Sequence, residues 1–350
     1  MKQVAIAALL ALGVGSHAYG ETINITVGAG SPPTIPAIVA LKEHFIPEVE
    51  RRLREEAPDI EIQWNEVYGG SLVNLTSTMQ GIEDGIVDMG VFFYQFEEAK
   101  LPLHQVTAMA PFGTPDPLQM VEIIEAIQER VPTFNEMWGD YNQVHIASGP
   151  SSSWELFTKF PVEKFEDLAG RRIGASGVSA NYLVGTGAVV IDSVMTEGYN
   201  AMVTGLYEGY PATIGLAFPY KFHQVAEYGT LTGFGSVLSG ALTMNKDKWD
   251  SMPEVVQQIF LEVGRGWSRA YAQVEIDRVD QFRAQMEDEG AQITALSEQE
   301  RARWANALPE IGKNWAAGLD ARGLPGTEVL QTYMEELRNR GVDLPRQWDQ

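Results

Sequence analysis

Cysteine is missing from the 350-residue chain altogether. That excludes disulfide staples, thiolate metal sites and a cysteine nucleophile. Lysine is scarce: only nine of the 25 basic residues are Lys, against 47 Asp and Glu. The resulting net charge of −22 argues against nucleic-acid binding, because phosphates call for basic patches. The five His are scattered and no His-Glu-x-x-His helix occurs. No metal or cofactor is therefore expected. Gly149-Pro150-Ser151-Ser152-Ser153 lacks the second Gly of a nucleophile elbow. A P-loop Gly-Lys-Ser/Thr is absent, and Gly233-Phe234-Gly235 fails the dinucleotide pattern because Leu238 stands at the third Gly. The adjacent carboxylates Glu97-Glu98 read as solvated charge. With no catalytic constellation, the chain is not expected to be an enzyme.

Long apolar runs are missing too, apart from one at the N-terminus. Met1-Lys2-Gln3 precedes an apolar stretch from Val4 to Val14, and Ala18-Tyr19-Gly20 follows. This pattern predicts a secretory signal peptide over residues 1–20. It is shorter than the about 20 apolar residues that span a bilayer. The protein is expected to be exported to the periplasm. About 330 remaining residues suit two lobes and bury enough core to fold without staples. An acid-rich, Lys-poor surface suits high external salt, so the source is expected to be salt-tolerant or halophilic.

Apolar spacing then predicts the elements. Ile23 to Val27 alternates as a strand, and Ile38, Leu41, Phe45, Val49 and Leu53 fall on one helix face. Ile60 to Trp64 reads as a second strand, Leu72 to Ile82 as a helix, and Val87 to Phe93 as a third strand. Strand and helix alternation over this stretch implies a parallel α/β sheet. A second set contains strands at Val144–Ala147, Trp154–Thr158 and Gly170–Ala175, and helices at Asn181–Thr186 and Tyr199–Gly205. Leu231 to Met244 reads as a strand interrupted by Gly233, Gly235 and Gly240. Pro253 opens a long helix to about Glu289, and the remainder is mostly helical, ending in a polar, Pro-containing tail.

Asp167-Leu168-Ala169-Gly170-Arg171-Arg172-Ile173-Gly174 resembles the Asp-Leu-x-Gly-x-Lys-Ile-Arg signature of the solute-binding proteins of TRAP (tripartite ATP-independent periplasmic) transporters. Gly81 to Gly90, Pro111-Phe112, Phe160 to Leu168, Glu197 to Gly209, and Met244-Asn245 with Trp249 and Pro253 are similar to further landmarks of that family, in the same order. The resemblance implies an α/β fold of the periplasmic-binding-protein kind: a two-lobed clamp with a hinge and a long crossing helix. It implies lobe I from 21–151 plus about 238–277, lobe II from 152–237 plus about 278–331, and a tail from 332–350. It also implies a small-molecule solute, delivery to the small and large membrane permease subunits, no cofactor, and a monomer.

Carried over residue by residue, the resemblance places its carboxylate-clamping Arg at Gly174. Its second Arg falls at Trp154, beside Glu155, and its Asn falls at Ala212, close to Tyr210. Its aromatic before the Glu-x-Tyr helix falls at Met195, and a polar strand end falls at Phe93. Tyr68, Asn74 and Tyr94 stand near loop ends that face the cleft in that family. An anion would lose its paired charges in such a site, and burying it unpaired costs several kcal/mol. Aromatic faces and a carboxylate suit an ammonium instead. A small organic amine or amino alcohol, of the ethanolamine or choline kind, is the expected solute. The alternatives are an organic acid bound through Arg171 or Arg172, a neutral polyol, a periplasmic enzyme on the same fold, and a receptor that feeds a sensor protein.

Overall fold

The computed structural model describes residues 20–350; the expected leader, residues 1–20, lies outside them but for Gly20. Eleven strands form three sheets among the described residues. The first sheet contains β1 (Glu21–Gly28), β2 (Ile60–Val67), β3 (Met89–Phe93), β4 (Gln143–Pro150) and β10 (Leu238–Asn245), in the order β2-β1-β3-β10-β4. β1 runs parallel to β2 and β3, whereas β10 is antiparallel to β3 and β4. The second sheet has the order β11-β9-β5-β8, from β5 (Trp154–Thr158), β8 (Gly209–Thr213), β9 (Tyr228–Leu231) and β11 (Gln292–Ala295). β6 (Arg172–Ala175) and β7 (Val189–Asp192) make a parallel pair of their own.

The chain passes between the two larger sheets at residues 151–153 and again at 232–237. These crossing segments lie side by side: Ser151 N–H donates to Val237 O, and Trp154 N–H to Gly235 O. The helix Glu254–Asp288 is a third connection, about 52 Å long at 1.5 Å per residue. Its buried Val256, Ile259, Phe260, Val263, Trp267 and Tyr271 recur at helical spacing. They pack with Ile25, Val27 and Val91 beneath the first sheet. A second cluster joins β8 to Met286 near the end of the same helix. A third, containing Phe92, Leu156, Trp304 and Trp348, runs continuously from one sheet to the other.

Several elements differ from the expected ones. The helix expected from Ile38 to Leu53 is interrupted by a wide turn at Leu41–Phe45 before continuing as Ile46–Glu56. Pro47 is the cause, because it has no N–H to donate back into the preceding turn. The helix expected at 72–82 begins only at Thr78. Asn74 Oδ1 accepts from Thr76 N–H at 3.1 Å and holds residues 74–77 as a turn. The strand expected across 231–244 breaks at 232–237, where Gly233 (φ 63°) and Gly235 (φ 99°) take left-handed conformations. The 181–186 helix is a short 3₁₀ segment, Gly177–Leu183. The 199–205 helix is Met195–Val203. A helix that the apolar spacing did not announce, Pro117–Arg130, starts at Asp116, whose side chain accepts from Leu118 N–H at 2.8 Å. The boundary expected at residue 332 falls inside the helix Gly326–Asn339. The final residues are docked: Trp348 is buried, and its Nε1–H donates to Pro111 O at 2.7 Å. Glu97 is buried as well, not solvated, and burial pushes its carboxyl up to about 7.

Candidate functional site

The carboxyl ends of β1 and β3 open toward the second sheet, the place where open α/β sheets receive ligands. A cleft of about 50 Å³ lies there. Ser31 and Ile35 enter it from the loop after β1, Leu75 from the loop after β2, and Phe93, Gln95 and Phe96 from the end of β3. Ser151 and Trp154 come from the first crossing segment and the start of β5. Met195 opens its helix, Leu216 and Tyr220 follow β8, and Ser239 belongs to β10. Tyr271 and Glu275 project from the long helix. Five of these residues are aromatic: Phe93, Phe96, Trp154, Tyr220 and Tyr271. No Arg, Lys or His is among them, and Glu275 is the one carboxylic acid.

Trp154 is held from behind, its Nε1–H donating to Ser151 Oγ at 3.2 Å. Glu275 is 2% exposed. Its Oε2 accepts from the N–H and the hydroxyl of Ser152 at 3.2 and 2.8 Å. Burial pushes the carboxyl up to about 7; the Ser152 bonds and the charge of Arg278 pull the other way without restoring an ordinary value. The Tyr271 hydroxyl is raised by the same burial.

The structure brings together three of the expected site residues, Phe93, Trp154 and Met195. The other seven do not line the cleft. Glu155 follows Trp154 on β5 and so faces the opposite side of the sheet. There it accepts from Gly233 N–H at 3.0 Å and Thr232 Oγ1 at 3.3 Å, and burial pushes it up to about 7. Ala212 is its cross-strand partner and is fully buried. Tyr210 turns away and donates to Ser193 O at 2.7 Å. Gly174 lies beneath the Tyr207 ring, where an added Cβ would stand 2.6–2.8 Å from ring carbons. A side chain is excluded at 174 by that ring, which occupies the space an Arg would need. Tyr94 is fully buried, stacked on His104 at 4.9 Å and bonded to Ser148 Oγ at 2.5 Å. Asn74 serves its own turn, and Leu75 beside it reaches the cleft. Tyr68 donates to Glu66 at 2.9 Å outside the cleft.

Arg171 and Arg172 are not at the cleft either. Arg171 pairs with Glu208 at 2.9 Å and covers the Phe160 ring, and Arg172 donates to Gly205 O at 2.8 Å. The residues missed from the sequence are Glu275, Tyr271 and Tyr220. The only available signal was an acidic residue one helical turn after Tyr271 on the apolar stripe of the long helix. A larger depression, of about 910 Å³, lies against β4 between the helices Pro117–Arg130 and Glu254–Asp288. It sits beside one sheet and away from the strand carboxyl ends, so the smaller cleft is the better candidate. Among the described residues, no group of three or more His, Asp or Glu is placed to hold a metal. No helix among them is long and apolar enough to cross a membrane.

A cleft between two α/β sheets, reached by three chain crossings, defines a two-lobed binding fold. The chain belongs to family 7 of the bacterial extracellular solute-binding proteins, the DctP family, whose model matches residues 50–318. A solute-binding protein of Sulfitobacter sp. (strain NAS-14.1) is 26% identical over 171 residues, which cover 48% of this chain and 51% of that protein. The C4-dicarboxylate-binding periplasmic protein DctP of Rhodobacter capsulatus is 27% identical over 173 residues, with the same coverage of 48% and 51%. The chain thus spans about half the length of the curated relatives it matches. A TRAP solute-binding protein of Rhodoferax ferrireducens T118, in complex with copurified benzoate, superposes with a TM-score of 0.78 at 15% identity. That match covers 91% of this chain and 98% of the other. The fold is that of the TRAP solute-binding proteins.

Proposed function

We propose that the chain is the extracytoplasmic solute receptor of a TRAP transporter, and that its solute is a small organic amine or amino alcohol of the ethanolamine kind. One observation carries the ligand class: the cleft joins five aromatic side chains and the Glu275 carboxylate with no Arg, Lys or His. Each aromatic contact to an ammonium contributes about 0.5–2 kcal/mol. A carboxylate solute would enter without a cationic partner and would lose several kcal/mol on burial. Phe93, Trp154 and Met195 act as contacts in this reading, joined by Tyr220, Tyr271 and Glu275. The relatives whose names or bound molecules are acids resemble this chain at 27% identity or less. That likeness carries the family and the fold, not the side chains of this cleft.

The receptor role brings its usual parts. Lobe I comprises 21–151 plus about 238–277, and lobe II comprises 152–237 plus the chain from about 278. The crossing segments act as the hinge. The receptor works in the periplasm as a monomer and hands its solute to the small and large permease subunits. Closure follows from the solute's greater affinity for the closed form.

A thermal-shift screen with amines, organic acids and polyols tests the ligand class, since a specific solute stabilises the fold by mass action. Ethanolamine-like amines are expected to raise the melting temperature. A rise with organic acids alone would end the amine reading. Trp154→Ala is expected to weaken amine binding about tenfold or more; unchanged affinity would remove Trp154 from the site.

A further inference from the structure

We propose that Glu275 selects, among small cations, those that carry an N–H, and that it surrenders its own proton when such a solute enters. This rests on the amine reading above and deepens it.

The two carboxylate oxygens of Glu275 are not equivalent. Oε2 is committed to the first crossing segment, where Ser152 supplies both an N–H and a hydroxyl. Gly215, at the start of the helix Ile214–Ala217, gives Oε2 its room; a Cβ there would stand 3.2 Å from it. Oε1 has no hydrogen bond among the described residues, although the residue lines the cleft. A solute donor is the partner this oxygen lacks.

The groups around Glu275 leave its charge unmatched. Ser152 faces it from the crossing segment, Gly215 from the short helix, and Tyr271 and Arg278 from its own helix. Ser152 and Gly215 are neutral, and the Tyr271 hydroxyl is already directed to Ser239 Oγ at 3.4 Å. Arg278 attracts Glu275 through space but donates to Thr34 O at 2.5 Å and lies over the Phe282 ring, with Glu43 sharing its charge. Glu275 therefore holds a proton in much of the empty protein near neutral pH. An ammonium solute supplies the missing full charge at close range. The balance is one protonated amine in, one carboxylic O–H broken, and one proton out to solvent, with an ammonium–carboxylate pair left behind.

The same geometry ranks solutes. A primary ammonium provides both the charge and a donor for Oε1. A quaternary ammonium provides charge alone and leaves a buried oxygen unpaired, which weakens binding about tenfold or more. A neutral diol provides a donor without charge and binds the protonated carboxyl with no proton released. At about 50 Å³ the cleft holds only a few water-sized volumes of roughly 10–15 Å³ each, so the solute is small.

Isothermal titration of the full-length protein with ethanolamine, tetramethylammonium and ethylene glycol tests this. Each titration is repeated in two buffers of different ionisation enthalpy, at about pH 6 and about pH 8.5, on either side of the Glu275 transition. The expected result is release approaching one proton per ethanolamine at the lower pH and almost none at the higher. Tetramethylammonium, which has no donor, is expected to bind about tenfold more weakly than ethanolamine. Glu275→Gln should abolish the proton release at both pH values and weaken ethanolamine at least tenfold. Ser152→Ala removes one stabilising donor, so its release should persist to higher pH. The wild-type titrations decide the matter even if a variant misfolds. Ethanolamine binding with no net proton release at the lower pH, or tetramethylammonium binding as tightly as ethanolamine, overturns this inference and leaves the amine receptor standing. Binding by none of the amines overturns both.

Discussion

Gly174 shows what one position can and cannot reveal. The resemblance places the family's clamp Arg there, and the ring of Tyr207, 33 residues further on, leaves no room for a side chain. That ring is buried, and its hydroxyl meets Ser193 Oγ at 3.1 Å. Because the added Cβ of Gly174→Ala would press on the ring face, the variant is expected to lose about 1–3 kcal/mol in urea unfolding. In a Tyr207→Ala background the same Gly174→Ala change should cost less; a wild-type midpoint for the single variant would refute the contact. Glu275 gives a second prediction, for the solute-free protein. Its folded pKa, about 7, exceeds the ordinary 4.5. Its neutral form thus stabilises fully below about pH 4.5, and that contribution fades as pH rises through 7. Gln needs no proton, so Glu275→Gln should match the wild type near pH 4.5 and exceed it by up to about 3 kcal/mol at pH 8. Melting at both pH values measures the difference, and a variant less stable at pH 8 would contradict it.

Elements were most legible where periodicity was strong. The long helix was expected to end at about Glu289 and ends at Asp288. β1, β2 and β5 fall where their patterns place them, to within a few residues. Local chemistry hid the rest. Pro47 widens one turn of a helix whose apolar face continues through it, and Asn74 diverts a segment with helical spacing into a turn. Around the 3₁₀ turn Pro102–Gln105 and β4, packing that no spacing rule anticipates gathers His104, Phe134, Trp138 and His145. His104 lies 3.9 Å from the Phe134 ring centre, and neither of its ring nitrogens has a hydrogen-bond partner. Burial lowers both histidines, His145 to about 4. A His lowered on folding stabilises above its ordinary 6.5, and the contribution is lost as pH falls from there toward the folded value. His145 removes about 1.4 kcal/mol per pH unit between about 6.5 and 4, and His104 acts in the same direction. The buried Glu155 and Glu275 act oppositely over about pH 4.5–7, so the wild-type profile is flattened. His104→Phe should expose the imbalance: its stability change between pH 6.5 and 5 should be more favourable than that of wild type, the direction set by the lowered His104. This double difference cancels the packing cost of the larger ring. Equal pH dependence in urea unfolding would show that His104 is protonated as easily folded as unfolded.

For the whole molecule, the family and the two-lobed class were legible, because ordered motifs spread over much of the chain carry them. The cleft was legible in part. Trp154, Phe93 and Met195 stand at strand and helix ends that border the cleft. Glu155 was misplaced by one residue of strand alternation, and Glu275 was hidden because it is one of seven acidic residues in a 35-residue helix and reads like a solvated one. Net charge is the property of the whole chain that sequence reads directly, and it makes a last prediction. With 47 acidic against 25 basic groups, many of the basic ones are already paired, as in Arg51 with Glu48 and Glu55, or Arg269 with Glu125. The unpaired excess is negative and repels itself more in the compact state than in the unfolded one. The screening length falls from about 30 Å at 0.01 M salt to about 3 Å at 1 M. Over that range the long-range repulsion vanishes, while exposed ion pairs, each contributing only about 0–1 kcal/mol, lose little. The melting temperature should therefore rise by several degrees from low to molar NaCl, and equally in KCl because screening does not distinguish the cations. A rise confined to one salt would indicate specific ion binding, and a fall would mean that paired charges outweigh the excess.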